Sequence, residues 1–146
     1  MSFVAIDKAN LGEWARLHAM LFGHLTFEES LAECEEWFEN KKEVGVLYEL
    51  GGEFVGFMNL SVRNDYVNGT ETSPVAFVEG IYVLPQFRGR GIGREMIAYA
   101  EEFARERGIR ELASDCFVDN SDSERFHKRC GFAEIERVIC FVKTVG

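Results

Sequence analysis

Six consecutive residues carry the clearest chemical signal in this chain: Arg88-Gly89-Arg90-Gly91-Ile92-Gly93. Glycine admits positive φ and leaves no Cβ between backbone N–H groups and a ligand. The apolar spacing of Met96, Ile97, Ala100, Phe103 and Ala104 predicts a helix over residues 93–107, closed by Gly108. A helix that starts here presents unpaired N–H groups and the positive end of its dipole. Phosphate groups bind well at such a place. Arg88, Arg90 and Arg94 add positive charge in a chain whose net charge is −9. The loop lacks a Gly-Lys-Ser/Thr ending, so it is not a P-loop. Its glycines also miss the Gly-x-Gly-x-x-Gly spacing of dinucleotide sites. On local chemistry alone it is a phosphate site of unknown kind, or a Gly-rich turn with solvated arginines.

Carboxylates form the second group. Glu79 and Asp115 fall inside apolar stretches that read as strands, at residues 75–84 and 111–117. An unpaired carboxylate inside a strand is costly, which favours a site role for both. The five glutamates Glu28, Glu33, Glu35, Glu36 and Glu39 read instead as the solvated face of a helix, with a place at the rim of a site as the alternative.

Positioning these groups requires a scaffold. Residues 3–6 read as a short strand. Asn10-x-x-Glu13 and Thr26-x-x-Glu29 are capping-box patterns, each followed by apolar residues at helical spacing. Strands at 44–50 and 53–62 flank the hairpin signal Gly51-Gly52. Asn64-Asp65-Tyr66-Val67-Asn68-Gly69 has turn chemistry. After the 93–107 helix come the 111–117 strand, a short helix over 120–130 ending at Gly131, and one or two strands over 132–145. This order predicts an α/β (α+β mixed) fold in one domain, residues 1–146, with a mostly antiparallel sheet and helices on both faces.

Composition narrows the function. Hydrophobic residues make up 47% and charged residues 28%, an ordinary globular balance. No apolar run approaches the roughly 18 residues of a membrane span. The first residues lack the basic and apolar regions of a signal peptide. Net charge −9 disfavours nucleic acid and anionic membranes as partners and suits a cationic substrate. Cys34, Cys116, Cys130 and Cys140 form no Cys-x-x-Cys pair, and no His stands at zinc-ligand spacing from them. They are expected as buried or half-buried free thiols in a reducing cytoplasm, with no metal.

The segment Glu79-Gly80-Ile81-Tyr82-Val83-Leu84-Pro85-Gln86-Phe87, continuing through the 88–93 loop, resembles the acetyl-CoA motif of the GCN5-related N-acetyltransferases. The family pattern is a strand, then Arg/Gln-x-x-Gly-x-Gly/Ala, then a helix. Arg88, Gly91 and Gly93 match it. A second family block, an Asn, a short helix and Gly-Phe, is matched by Asn120 and Gly131-Phe132. The resemblance implies that fold, acetyl-CoA as co-substrate, and roles for matching positions. The backbone of Ile81, Tyr82 and Val83 would hold the pantetheine arm. Amides of Arg88, Gly89, Arg90, Gly91, Ile92, Gly93 and Arg94 would hold the pyrophosphate, and Asn120 would contact the pantetheine side. Where many members carry a Tyr that protonates the departing thiolate, this chain has His127.

Several stretches further resemble aminoglycoside 6'-N-acetyltransferases. Among them are Arg63-Asn64-Asp65-Tyr66-Val67-Asn68-Gly69, Ala113-Ser114-Asp115 and the segment from Phe132 to Ile139. That likeness implies Glu79, Asp115 and Glu136 as acidic substrate-site residues, Tyr66 as an aromatic one and His24 as a contact from the first helix–helix turn. It also implies a homodimer formed by exchange of C-terminal strands after Glu136. The expected reaction is direct attack of an amine on the thioester. Asp115 or Glu79, alone or through a water, accepts the proton, and no covalent acyl-enzyme forms. Competing readings are a polyamine or protein amino group as acceptor, or a non-catalytic acyl-CoA-binding module.

Overall fold

Pairing of the apolar stretches in chain order builds the sheet. A computed structural model describes residues 2–146. Its elements are β1 (Phe3–Ala5), α1 (Leu11–Leu21), α2 (Phe27–Asn40), β2 (Val44–Leu50), β3 (Glu53–Arg63), β4 (Val75–Val83), α3 (Ile92–Glu106), β5 (Leu112–Ser114) and α4 (Ser121–Arg129). A single 3-10 turn, Pro85–Phe87, links β4 to the 88–93 loop. The strand order is β1-β2-β3-β4-β5. The first four strands pair antiparallel, and β5 joins β4 in parallel. The expected mixed, mostly antiparallel sheet is therefore present.

Helices cover both faces. Gly45 lies under the Trp14 ring of α1, and Gly56 lies under Met96 of α3. Gly45 pairs with Asn59, and along β3 residues 56 and 59 point to opposite faces. Trp14, Leu17, Leu47, Phe57, Met58, Leu60 and Met96 are fully buried and form the core. Thr26 caps α2 with the expected capping box, its hydroxyl accepting from Glu29 N–H and Glu29 returning the bond. Asn10 does not cap α1 through its side chain. Its Oδ1 instead accepts from Asp7 N–H at 2.8 Å, and its Nδ2 donates to the Ala5 carbonyl at 2.9 Å. The local turn after β1 takes the oxygen that a capping box would use.

Two expected strands are shorter or absent. Residues 111–117 yield only Leu112–Ser114, because just three β4 residues, Ala76 to Val78, pair with β5. Asp115 and Cys116 therefore lie beyond the strand and are exposed, not buried within it. Residues 133–146 form no strand, and Cys140 is exposed. Of the four thiols, Cys34 is buried and Cys130 half-buried, as expected. Among the described residues, no helix is long and apolar enough to cross a membrane.

Candidate active site

A bulge creates the site. In the β3–β4 ladder, Asn59 pairs with Gly80 and Leu60 with Val78, so Glu79 is an extra residue with no partner. A bulge bends its strand and re-aims the side chain. Here it turns Glu79 toward β3, where Arg63 Nε and Nη2 grip the carboxylate at 2.9 and 2.8 Å and the Ser61 hydroxyl adds a third bond. Arg63 is itself held over the Phe77 ring, 3.5 Å from its centroid.

The bulge also separates β4 from β5, since pairing with β5 stops at Val78. Leu84 N–H bonds to the Val55 carbonyl of β3. By the alternation of an antiparallel ladder, Tyr82 then faces β3 and Ile81 and Val83 face the open edge. The Val83 carbonyl on that edge accepts from Arg88 Nε at 2.7 Å. An extended chain with amide groups can lie along such an edge as an added strand.

The open edge leads to the 88–93 loop. Gly89 and Gly91 have φ of 79° and 84°, conformations that a side chain would strain, and a Cβ on either would meet nothing within 4 Å. Gly91 caps α3 with no side-chain bond, so the first N–H groups of the helix remain free. Arg88, Arg90 and Arg94 are exposed around this mouth. Gly93 has a different task. A Cβ there would lie 2.7 Å from the Phe126 ring of α4, so its bareness lets α3 and α4 pack. Asn120 caps α4 by accepting from Ser123 N–H at 3.2 Å, which leaves its amide nitrogen available.

On the other side lies a cleft of about 370 Å³, lined by His18, Phe22, His24, Leu25, Glu33, Trp37, Glu43 and Glu79. It brings His24 and Glu79 together. It does not include Tyr66, Asp115 or Glu136. Tyr66 is 77% exposed, and its hydroxyl accepts from Gly69 N–H at 3.3 Å. Asp115 and Glu136 are exposed, Asp115 just past β5 and Glu136 in the C-terminal segment.

His127 has both ring nitrogens engaged. Nδ1 meets the Ser123 carbonyl at 2.7 Å and Nε2 meets the Ser114 hydroxyl at 2.8 Å. A carbonyl only accepts, so Nδ1 carries a proton, and Nε2 is taken up by the Ser114 hydroxyl. The ring thus ties α4 to β5, with both nitrogens already engaged and none spare for a leaving thiolate.

Two ionisable cleft residues, His18 and Glu43, escape the sequence reading. His18 is 1% exposed, and burial pulls its pKa down to about 4. It sits four residues after Trp14 and three before Leu21, so it falls on the buried stripe of α1. Glu33, read as part of the solvated face of α2 with the rim of a site as the alternative, takes the place at the cleft. Glu43 follows the left-handed Lys41 that ends α2, and only the β2–β3 register reveals what it faces. Burial, reinforced by Glu79 and Glu33, pushes the Glu43 carboxyl up to about 6 against the opposing Asn59 hydrogen bond.

Comparison with known proteins agrees with this geometry. The model of the acetyltransferase (GNAT) family matches residues 11–132. Aminoglycoside N(6')-acetyltransferase type 1 of Serratia marcescens is 41% identical over 144 residues, covering 98% of this chain and 99% of its own. The solved structure of AAC(6')-Iy with the bisubstrate analogue CoA-S-monomethyl-acetylneamine superposes with a TM-score of 0.91 at 36% identity, covering 98% of this chain and 97% of that one. The apo structure of the 6'-N-acetyltransferase AAC(6')-IG from Acinetobacter haemolyticus gives 0.93 at 35% identity, with 100% of both chains covered. An open strand edge, a helix start free of side-chain caps and matched relatives along the full length lead to one statement: this chain belongs to the acetyltransferase (GNAT) family.

Proposed function

We propose that this chain transfers the acetyl group of acetyl-CoA to the 6'-amino group of aminoglycosides, acting as one N-acetyltransferase domain in the cytoplasm. The observation that carries the reading is the β4 bulge. It places an acidic cleft on one side of the Ile81–Val83 edge and the free N–H groups of α3 on the other. Acetyl-CoA fits this frame as the co-substrate that supplies an activated acyl group. Its pyrophosphate suits the amides of residues 88–94, and its pantetheine amides suit the backbone of Ile81 and Val83, with Asn120 beside them. Polycationic amino sugars suit the carboxylate-lined cleft, since charge-assisted hydrogen bonds are strong ones. Tyr66, His24 and Glu136 complete the acceptor contacts in this reading.

The acceptor arrives as an ammonium with a pKa near ~10 and must lose a proton to attack. Glu79 is already bonded to Arg63 and Ser61, so it orients the acceptor and takes the proton through a water. Asp115, exposed and free of hydrogen bonds among the described residues, is the second acceptor of protons. The amine nitrogen forms the C–N bond as the C–S bond breaks, and the CoA thiolate takes up a proton from water. The Val83 N–H on the open edge stabilises the negative charge that develops on the thioester oxygen.

A thiol-release assay with acetyl-CoA tests the proposal. Kanamycin-type acceptors with a 6'-amine should release CoA, and analogues with a 6'-hydroxyl should not. Glu79→Gln and Asp115→Asn should each lower turnover at neutral pH by about 10²-fold or more, the usual range for losing acid–base assistance. Turnover of spermidine or a peptide amine with no aminoglycoside accepted would move the activity to another acceptor. Full turnover by both variants would remove the assigned bases. We also infer a homodimer that exchanges the C-terminal segment after Glu136, on the exposure of Val138, Ile139, Phe141 and Val142.

A further inference from the structure

Three side chains that line the cleft, Glu43, Glu33 and His18, are not among the groups assigned a role above. Glu43 is half-buried, and its Oε1 accepts from Asn59 Nδ2 at 3.0 Å. Asn59 is in turn fixed by Trp14 Nε1, which donates to Asn59 Oδ1 at 2.8 Å. Trp14 is buried and Asn59 is 2% exposed, so this relay holds the Glu43 carboxylate in one orientation from beneath. Among the described residues, neither Glu43 nor Glu33 is paired with a Lys or Arg side chain.

The third group is His18, which is almost wholly buried and lines the same cleft. Its Nδ1 meets the Ser30 hydroxyl at 2.8 Å. Its Nε2 has no hydrogen-bond partner among the described residues, and the closest acidic oxygen is Glu33 Oε2 at 3.8 Å. The Glu33 carboxylate favours the tautomer with the proton on Nε2, and the Ser30 hydroxyl then donates to Nδ1. An almost wholly buried imidazole that lines the cleft with Nε2 free of hydrogen bonds, beside two carboxylates without a Lys or Arg partner, suits a ligand bearing both positive charge and acceptors.

We infer that Glu43 and Glu33 form a second cation subsite, which holds a non-reacting ammonium of the acceptor while Glu79 serves the reacting end. His18 is a positioning residue: its Nε2–H dipole, 3.8 Å from Glu33 Oε2, favours the cleft-facing orientation of that carboxylate without a direct hydrogen bond. The inference rests on the acceptor being a polyamine of the proposed class. It makes a distinct demand, that affinity depends on an amine remote from the one acetylated. Glu43 and Glu33 raise affinity for acceptors with that amine and contribute little to those without it. Both tasks belong to the acceptor and leave acetyl-CoA binding alone.

Steady-state kinetics with kanamycin B and kanamycin A test this. The two differ by an amino and a hydroxyl group at the 2' position of the ring that carries the 6'-amine. Glu43→Gln and Glu33→Gln should each raise the KM for kanamycin B by about tenfold, the scale of one charge-assisted bond. The loss should fall on KM more than on kcat, the KM for acetyl-CoA should stay unchanged, and kanamycin A should be less affected. His18→Phe should raise the KM for kanamycin B in the wild-type background but not in Glu33→Gln, a coupling that loss of packing would not produce. Equal effects on both acceptors, or unchanged KM in the Glu43→Gln/Glu33→Gln double variant, would overturn the subsite. If the wild type turns over neither kanamycin, the parent reading fails. Calorimetry with spermidine then decides the subsite alone, since it requires binding that weakens about tenfold in Glu43→Gln. Absent or unchanged spermidine binding would overturn it.

Discussion

Two cleft residues oppose each other in their effect on folding. The Glu43 carboxyl is raised from 4.5 to about 6 by burial and by Glu79 and Glu33. A carboxyl raised on folding binds its proton more tightly in the folded state. The stability this gives is full below pH 4.5 and is lost as pH rises through about 6. Above that window the wild type forgoes about 2 kcal/mol, less whatever solvent screens at its accessible edge. Glu43→Gln keeps an oxygen for Asn59 and removes the charge. It should raise the melting temperature at pH 7.5 and lose that advantage at pH 4, measured by thermal denaturation in matched buffers. An unchanged or lower melting temperature at pH 7.5 would show that the charge is not strained there. His18 runs the other way. Its pKa falls from 6.5 to about 4, so its contribution is intact above pH 6.5 and is lost as pH falls toward 4. Residues that cost stability while facing a cleft are the ones a binding role preserves. Neither effect is visible in the sequence, because both arise from burial that only the packing of α1 and α2 on the sheet creates.

At the scale of elements, Gly93 shows how a motif residue can have a second cause. The pattern around the 88–93 loop suggests that every glycine clears space for phosphate. Gly89 and Gly91 fit that view, with positive φ and open surroundings. Gly93 instead makes room for Phe126. Gly93→Ala should therefore strain the α3–α4 contact by about 1–3 kcal/mol, the usual cost of overpacking. Gly93→Ala/Phe126→Leu should recover most of it, and a chemical-denaturation series over the wild type and these variants measures both. No recovery in the double variant would place the strain elsewhere. Local sequence carried much of the scaffold: helical periodicity marked α3 and α4 to within a residue at each end, and Thr26 with Glu29 marked the start of α2. It failed where a partner decides the outcome. Asn10 has capping chemistry, but Asp7 competes for its oxygen. The 111–117 stretch has strand composition, but the bulge at Glu79 turns β4 away after three pairs. Glu79 was legible as a costly carboxylate in a strand, whereas the unpaired bulge position that aims it was not.

The whole molecule has one feature that a single chain leaves unsatisfied. Val138, Ile139, Cys140, Phe141 and Val142 form a continuous apolar run, and Phe141 and Val142 are 90% and 98% exposed. A strand that is apolar on both faces belongs inside a sheet covered on both sides. The segment begins anchored: a Cβ on Gly69 would lie 1.9 Å from Ile135, so Ile135 presses onto the loop that carries Tyr66. Arg137 then pairs with Glu134 and Glu124. Beyond it, among the described residues, no strand pairing covers the apolar run. The proposed twofold exchange, in which each chain gives this segment to the other, would bury it and satisfy its backbone. Such an exchange also ties Glu136 and the Tyr66 loop to the partner, so the acceptor side of the site would depend on assembly. Size-exclusion chromatography with light scattering should give twice the mass of one chain for the wild type. Phe141→Asp should shift it toward the single-chain mass, make melting less cooperative and raise the acceptor KM, while acetyl-CoA still binds at the distant 88–93 loop. A wild-type monomer at micromolar concentration would refute the exchange. A Phe141→Asp dimer of unchanged melting temperature would refute the role of this segment in it.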